Sequence, residues 1–117
     1  MPQLIPLGRE LLRINSSKNT IEYSANGGRS WLTRCPNPSY GEWRDLLLWG
    51  KELLAVSSKG VYVSTNAGYS WVCRAQNNTI GGAEFYALQD GGAQLLADTS
   101  RGLQYSTNAG RSWLRRL

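Results

Sequence analysis

Ser64-Thr65-Asn66-Ala67-Gly68-Tyr69-Ser70-Trp71 returns twice more in this chain, as Ser24-Ala25-Asn26-Gly27-Gly28-Arg29-Ser30-Trp31 and as Ser106-Thr107-Asn108-Ala109-Gly110-Arg111-Ser112-Trp113. Five of the eight positions (Ser, Asn, Gly, Ser, Trp) hold in all three copies. These residue types describe a tight turn between two strands. Asn ties up loose backbone N–H groups and tolerates left-handed backbone, and Gly takes the dihedral that side chains resist. Ser adds a second local acceptor, and Trp opens the outgoing strand by dropping a large ring into the core with its N–H seeking a partner. Each copy is expected to be a hairpin turn with an aromatic anchor.

The repeat extends beyond these turns. Gly8, Gly50 and Gly92 stand 42 residues apart, each opening a similar run: Gly8-Arg9-Glu10-Leu11-Leu12, Gly50-Lys51-Glu52-Leu53-Leu54 and Gly92-Ala93-Gln94-Leu95-Leu96. The turn tryptophans are 40 and 42 apart, the shortfall lying in a longer loop, Asn15 to Thr20, in the first repeat. Short apolar runs bounded by Gly, Asn and Ser predict four strands, A to D, in every repeat. They are expected near 2–7, 10–15, 20–25 and 30–35, then 43–49, 52–57, 61–65 and 70–75, then 85–90, 93–99, 103–107 and 112–117.

The pattern S-x-N-x-G-x-S-W resembles the Asp-box, or BNR repeat, of β-propellers such as sialidases. Asn26, Asn66 and Asn108 stand where that family usually has Asp. The resemblance implies a structural role for Ser24, Asn26, Gly28, Ser30, Trp31, Ser64, Asn66, Gly68, Ser70, Trp71, Ser106, Asn108, Gly110, Ser112 and Trp113. Asn keeps the acceptor oxygen and lacks the charge, which argues against the boxes as cation sites. A period near 42 with four short strands fits a propeller blade. The expected fold is therefore all-β, a single unit over 1–117 with four-stranded antiparallel blades at about 1–35, 43–75 and 85–117.

Three blades fall short of the smallest closed ring, which needs about four. The chain starts on a strand A and stops on a strand D, so each end blade is expected to carry an uncovered apolar face. Two copies related by a twofold axis would cover both and make a six-bladed ring, so the expected partner is a second copy of the chain. Arg13 stands where the other repeats have Ala55 and Ala97, and Asp98 where they have Ile14 and Val56. Two placements fit these charges. Either they point outward and pair between copies, or both turn toward the middle blade; Asp98 as an acid facing a central pocket is a further alternative.

With 13 Lys and Arg against 8 Asp and Glu, the net charge of +5 favours anionic partners. Ten of the 13 cations are Arg, suited to two-pronged contacts with carboxylate, sulfate or phosphate. The B–C loops bring one cation per repeat, Lys18, Lys59 and Arg101, to the face opposite the boxes. The long D–A loops add Tyr40, Glu42, Trp43, Arg44, Glu84, Phe85 and Tyr86, aromatic and hydrogen-bonding groups of the kind that hold sugar rings, although Trp43 and Phe85 also fit matched core positions. Arg34, Arg74 and Arg116, each three residues after a box Trp, have outward parity on the outermost strands and are expected to guard those edges against aggregation. Cys35 and Cys73 share the parity of the box tryptophans and are expected as buried, unpaired thiols.

Catalysis finds little support. Sialidases use an arginine triad, a Tyr/Glu nucleophile pair and an acid/base Asp introduced by Arg-Ile-Pro, whereas here Arg13-Ile14-Asn15 supplies only two of those letters, inside a strand. The sequence contains no His, the commonest general base and metal ligand. Glu42 and Glu84 are repeat-equivalent and would face a common axis, the one arrangement compatible with a glycosidase. No catalytic residue, cofactor or metal is assigned, and no recognition-helix or RNP-like motif points to nucleic acid. Met1-Pro2-Gln3-Leu4-Ile5-Pro6 lacks the basic start and apolar run of a signal peptide, nothing reaches membrane-spanning length, and the compartment stays open although the family is often secreted. The expected function is a non-catalytic binding or scaffolding module for an anionic or carbohydrate ligand or a protein. The alternatives are a structural component of a larger repeat protein or particle, and a glycan-active enzyme.

Overall fold

The computed structural model describes residues 4–35, 40–50, 52–76 and 84–115, and within them the chain is all β. The strands are β1 (Ile5–Leu7), β2 (Glu10–Asn15), β3 (Thr20–Ser24), β4 (Leu32–Cys35), β5 (Trp43–Trp49), β6 (Glu52–Ser57), β7 (Gly60–Ser64), β8 (Val72–Gln76), β9 (Phe85–Asp90), β10 (Leu95–Thr99), β11 (Gly102–Ser106) and β12 (Leu114–Arg115). They form three antiparallel sheets of four, each in sequence order: β1 to β4 (sheet I), β5 to β8 (sheet II) and β9 to β12 (sheet III). The expectation of all-β, four-stranded antiparallel units is met. Several ends shift by a residue or two: β8 begins at Val72 rather than 70 and β10 at Leu95 rather than 93, because the preceding residues belong to turns. Positions 2, 3, 116 and 117 of the expected first and last strands lie outside the described residues.

Sheet II is apolar on both sides, which is why β6 reads Leu53-Leu54-Ala55-Val56 without alternation. Leu53, Ala55, Tyr62, Trp43, Leu46 and Trp71 pack with Ile5, Leu12, Ile14, Ile21 and Cys35 of sheet I. From its other side, Leu47, Leu54, Val56, Val61, Val63 and Ala75 pack with Phe85, Leu88, Leu95, Ala97 and Trp113 of sheet III. Sheet II is the middle layer, and the whole measures 42 × 28 × 23 Å. Burying one such side chain fully is worth about 1.5–3 kcal/mol, so these two cores dominate the stability.

The three repeated octapeptides connect β3 to β4, β7 to β8 and β11 to β12 and adopt one structure. The first Ser is the hub: Ser64 Oγ accepts from Gly68 N at 2.8 Å and from Asn66 N at 3.3 Å while donating to Asn66 Oδ1 at 2.9 Å. Asn66 Oδ1 also accepts from Ser70 N at 3.0 Å, and Asn66 Nδ2 donates to Ser70 Oγ at 2.8 Å. Trp71 Nε1 closes the turn on Gly68 O at 3.2 Å. The counterpart closures, Trp31 to Gly28 O and Trp113 to Gly110 O, are 3.1 and 3.0 Å. Two successive residues are left-handed, Ala67 (φ 63°) and Gly68 (φ 91°), which is why Gly holds the second place in every copy.

A β-bulge in each of the outer strands β4 and β8 corrects two expectations. In sheet I, Glu22 pairs with Thr33 but Ile21 with Cys35; in sheet II, Tyr62 pairs with Cys73 but Val61 with Ala75. Arg34 and Arg74 are the extra residues, and an extra residue reverses the parity of everything after it. The two cysteines therefore part company. Cys35 crosses to the buried face against sheet II, whereas Cys73 stays on the Trp71 face and is exposed.

The same bulges overturn the edge-guard role of Arg34 and Arg74. The Arg34 side chain is 2% exposed and forks onto Glu10, Nη1 and Nη2 each 2.7 Å from a carboxylate oxygen. Its Nη1 also donates to Ala67 O in the neighbouring sheet's turn at 3.1 Å, and its guanidinium lies 4.2 Å from the Tyr23 ring and 4.3 Å from the Tyr69 ring. Arg74 repeats the device one sheet on, forking onto Glu52 and donating to Ala109 O at 3.1 Å. These arginines clamp each sheet to the turn of the next. Arg116, the third of the series, lies outside the described residues.

Candidate functional site

The end of the molecule opposite the octapeptide turns carries the expected cations. Lys18, Lys59 and Arg101 are exposed in the β2–β3, β6–β7 and β10–β11 turns. Local caps shape these turns: Asn15 Oδ1 accepts from Lys18 N, Ser57 Oγ from Lys59 N and Thr99 Oγ1 from Arg101 N. Each of the last two turns is also stitched to the start of its sheet's first strand. Ser58 and Glu42 exchange two bonds of 2.9 Å, and Ser100 and Glu84 do the same. The longer first loop uses its extra length differently. Asn19 reaches into the next repeat, donating to Gly41 O at 3.0 Å and accepting from Trp43 N at 2.8 Å.

The remaining expected site residues separate into two groups. Trp43 and Tyr40 belong to the interior. Trp43 is 3% exposed, its ring 5.3 Å from Tyr40 and 5.3 Å from Trp71, and the Tyr40 hydroxyl accepts from Trp71 N. Glu42, Glu84 and Tyr86 stay near the surface and gather around Arg44, another of the expected loop residues. Arg44 Nη2 bonds Glu84 at 2.8 Å, its Nη1 donates to Phe85 O at 3.0 Å, its Nε lies 3.6 Å from Glu42, and its guanidinium stands 5.5 Å from the Tyr86 ring. Arg44 and Tyr86 are again bulge residues: Trp43 pairs with Ser57 and Asp45 with Val56, and Phe85 pairs with Thr99 and Ala87 with Asp98. One guanidinium thus counters both carboxylates. That geometry ties sheet II to sheet III and does not leave an acid and a base facing one another across open space. Nearby, the buried Asp45 accepts from Leu46 N and, in the next sheet, from Leu88 N at 3.0 Å.

A second feature lies at the octapeptide end, where the sequence suggested nothing. Trp49, Gly50, Glu52, Asp90 and Gly92 line an open cleft of about 430 Å³ between sheets II and III. Trp49 Nε1 donates to Asp90 Oδ1 at 3.2 Å, and Glu52 is the carboxylate gripped by Arg74. The hydrogen bond from Arg74 holds Glu52 below the usual carboxylate range, as that from Arg34 does for Glu10.

The outward faces of the two end sheets form a third feature. Arg13 and Asp98 lie on them, since their strand neighbours Leu12, Ile14, Leu95 and Ala97 face sheet II. Turning toward the middle sheet is thereby excluded for both. Arg13 pairs with Glu22 at 2.9 Å and lies 4.1 Å over the Trp31 ring; Asp98 accepts from Gln89 Nε2 at 3.0 Å. Glu22 is almost covered. Burial pushes its carboxyl up, and hydrogen bonds from Asn15 and Arg13 outweigh that and leave it lowered.

Among the described residues no group of three or more His, Cys, Asp or Glu is placed to hold a metal ion, and no helix is long and apolar enough to cross a membrane. Compared with known protein families and curated proteins, the chain matches no family model and no curated sequence.

Proposed function

We propose that this chain is a non-catalytic unit of an Asp-box β-propeller, three blades that close into a six-bladed ring with a second copy and serve as a binding or scaffolding module. One observation carries the proposal: repeat-equivalent positions are buried inside the chain and open at its two ends. Leu53 and Trp71, 3% and 5% exposed, correspond to the half-buried Leu11 and Trp31 of sheet I. Leu54, Val61 and Val63, at most 7% exposed, correspond to the half-buried Leu96, Leu103 and Tyr105 of sheet III. The repeated hub-and-anchor turns support the Asp-box assignment.

The ligand face of the proposed ring is the one with Lys18, Lys59 and Arg101, one exposed cation per repeat and doubled by the twofold axis. Such a ring focuses field on an anion near the axis. The engagement of Glu42 and Glu84 by Arg44 and the burial of Trp43 favour binding over glycoside cleavage. The test is a thermal-shift and titration screen with sulfated and sialylated oligosaccharides at low salt. Stabilisation by at least one, weakened several-fold by Lys59→Ala with Arg101→Ala and by added salt, is expected. No shift with any anion, or hydrolysis of a fluorogenic glycoside that Glu42→Gln abolishes, would contradict it.

A further inference from the structure

The two internal junctions specify what each end of the chain would meet. Between sheets I and II, Ala55 shares a core with Ile14; between sheets II and III, Ala97 shares a core with Val56. Counted through the repeats, Arg13 occupies the place of Ala55 and Ala97, and Asp98 the place of Ile14 and Val56. A third junction of the same geometry would therefore set Arg13 beside Asp98. The two members of this repeating contact that depart from apolar residues are the two that would meet, and they carry opposite charges.

We propose that the Arg13 face of sheet I docks on the Asp98 face of sheet III of a second copy, with Arg13 and Asp98 forming an ion pair at each of the two junctions. The inference rests on the two-copy ring above and adds which face meets which and by what chemistry. The Arg13 guanidinium is set in place beforehand. Its Nε and Nη2 both engage a single oxygen, Glu22 Oε1, and its plane rests over Trp31, while the side chain stays 41% exposed with further N–H donors available. Glu22 Oε2 accepts from Asn15, and Lys18 also acts on Glu22 from the same hairpin, so the two cations Arg13 and Lys18 stand against one carboxylate there. Leu11 and Trp31 on one side, with Leu96, Leu103 and Tyr105 on the other, supply apolar surface around the pair. Pairing sheet I with sheet I, or III with III, would bring like charges together. The charges thus select the head-to-tail contact that a twofold ring uses twice.

The experiment is a charge swap on the full chain, read as dimer dissociation constant by analytical ultracentrifugation with wild type as reference. Arg13→Asp alone and Asp98→Arg alone each create two like-charge junctions and should weaken dimerisation on the order of a hundredfold. Mixed in equal amounts they should form a heterodimer close to wild type in affinity, because both junctions then hold opposite charges. Asp98→Asn, which only removes charge, should weaken dimerisation about tenfold and stands in if Arg13→Asp does not fold. A dimeric wild type with unaffected variants, or a mixture no tighter than its components, overturns this inference while leaving the ring standing. A wild type monomeric at every concentration overturns both.

Discussion

Arg34 shows how much of this chain's cohesion passes through single side chains. Its guanidinium joins Glu10 of its own sheet to the Ala67 carbonyl and Tyr69 of the next, between two tyrosine rings. Removing it leaves the Ala67 carbonyl and the partly exposed Glu10 carboxylate without their donor and empties the space between the two rings. Arg34→Ala should lower unfolding stability by about 2–3 kcal/mol, read from the urea midpoint, and Arg34→Lys should recover less than half, because an ammonium cannot fork. The clamps also set an acid limit. Hydrogen bonds from Arg34 and Arg74 hold Glu10 and Glu52 below the ordinary glutamate value when folded, so as carboxylates begin to titrate the unfolded chain binds more protons than the folded one. Stability should be level from neutral pH to about 5 and fall as pH drops through the lowered values, with a shallower fall in the Arg34→Ala, Arg74→Ala double variant, followed by thermal melts against pH.

At the scale of turns and strands, the octapeptides separate the roles of oxygen and charge. Asn66→Ala deletes an acceptor for Ser70 N and Ser64 Oγ and should cost about 1–2 kcal/mol, whereas Asn66→Asp keeps that oxygen and should stay within about 0.5 kcal/mol, both read by denaturant titration. The bulge at Arg34, which turns Cys35 inward, makes a separate prediction. In the native protein one thiol per chain, Cys73, should react with a disulfide reagent, more slowly than free cysteine because burial pushes its thiol up; Cys35 should react only on unfolding. Equal reactivity of both would contradict the parity reversal. These elements also show where the sequence was legible. Turns written in Ser, Asn, Gly and Trp and the runs between them were readable because their chemistry is local. The environments of Arg34, Arg74 and Cys35 were misread because a bulge depends on how two strands pair, which alternation along one strand does not record. Arg44 was legible as a loop residue but not as a tie between sheets, for a similar reason: its partner Glu84 is 40 residues away and in another sheet. Lys18, Lys59 and Arg101 were placed on one end by simple counting of strands, and Trp49 with Asp90 by nothing in the sequence at all.

At the scale of the whole molecule, sheets I and III have one covered face each where sheet II has two. Repeat-equivalent leucines and tryptophans buried against a neighbour in the middle of the chain lie half open at its ends, and the charges added there are complementary. The proposed ring follows from these facts, and the cations of the ligand face matter most if that ring doubles them. Molar mass by multi-angle light scattering at micromolar concentration tests this most directly. A value of twice the 13.0 kDa chain mass, holding on dilution until dissociation sets in, is the expected result; a species of single-chain mass at every concentration, well folded and soluble, would contradict it.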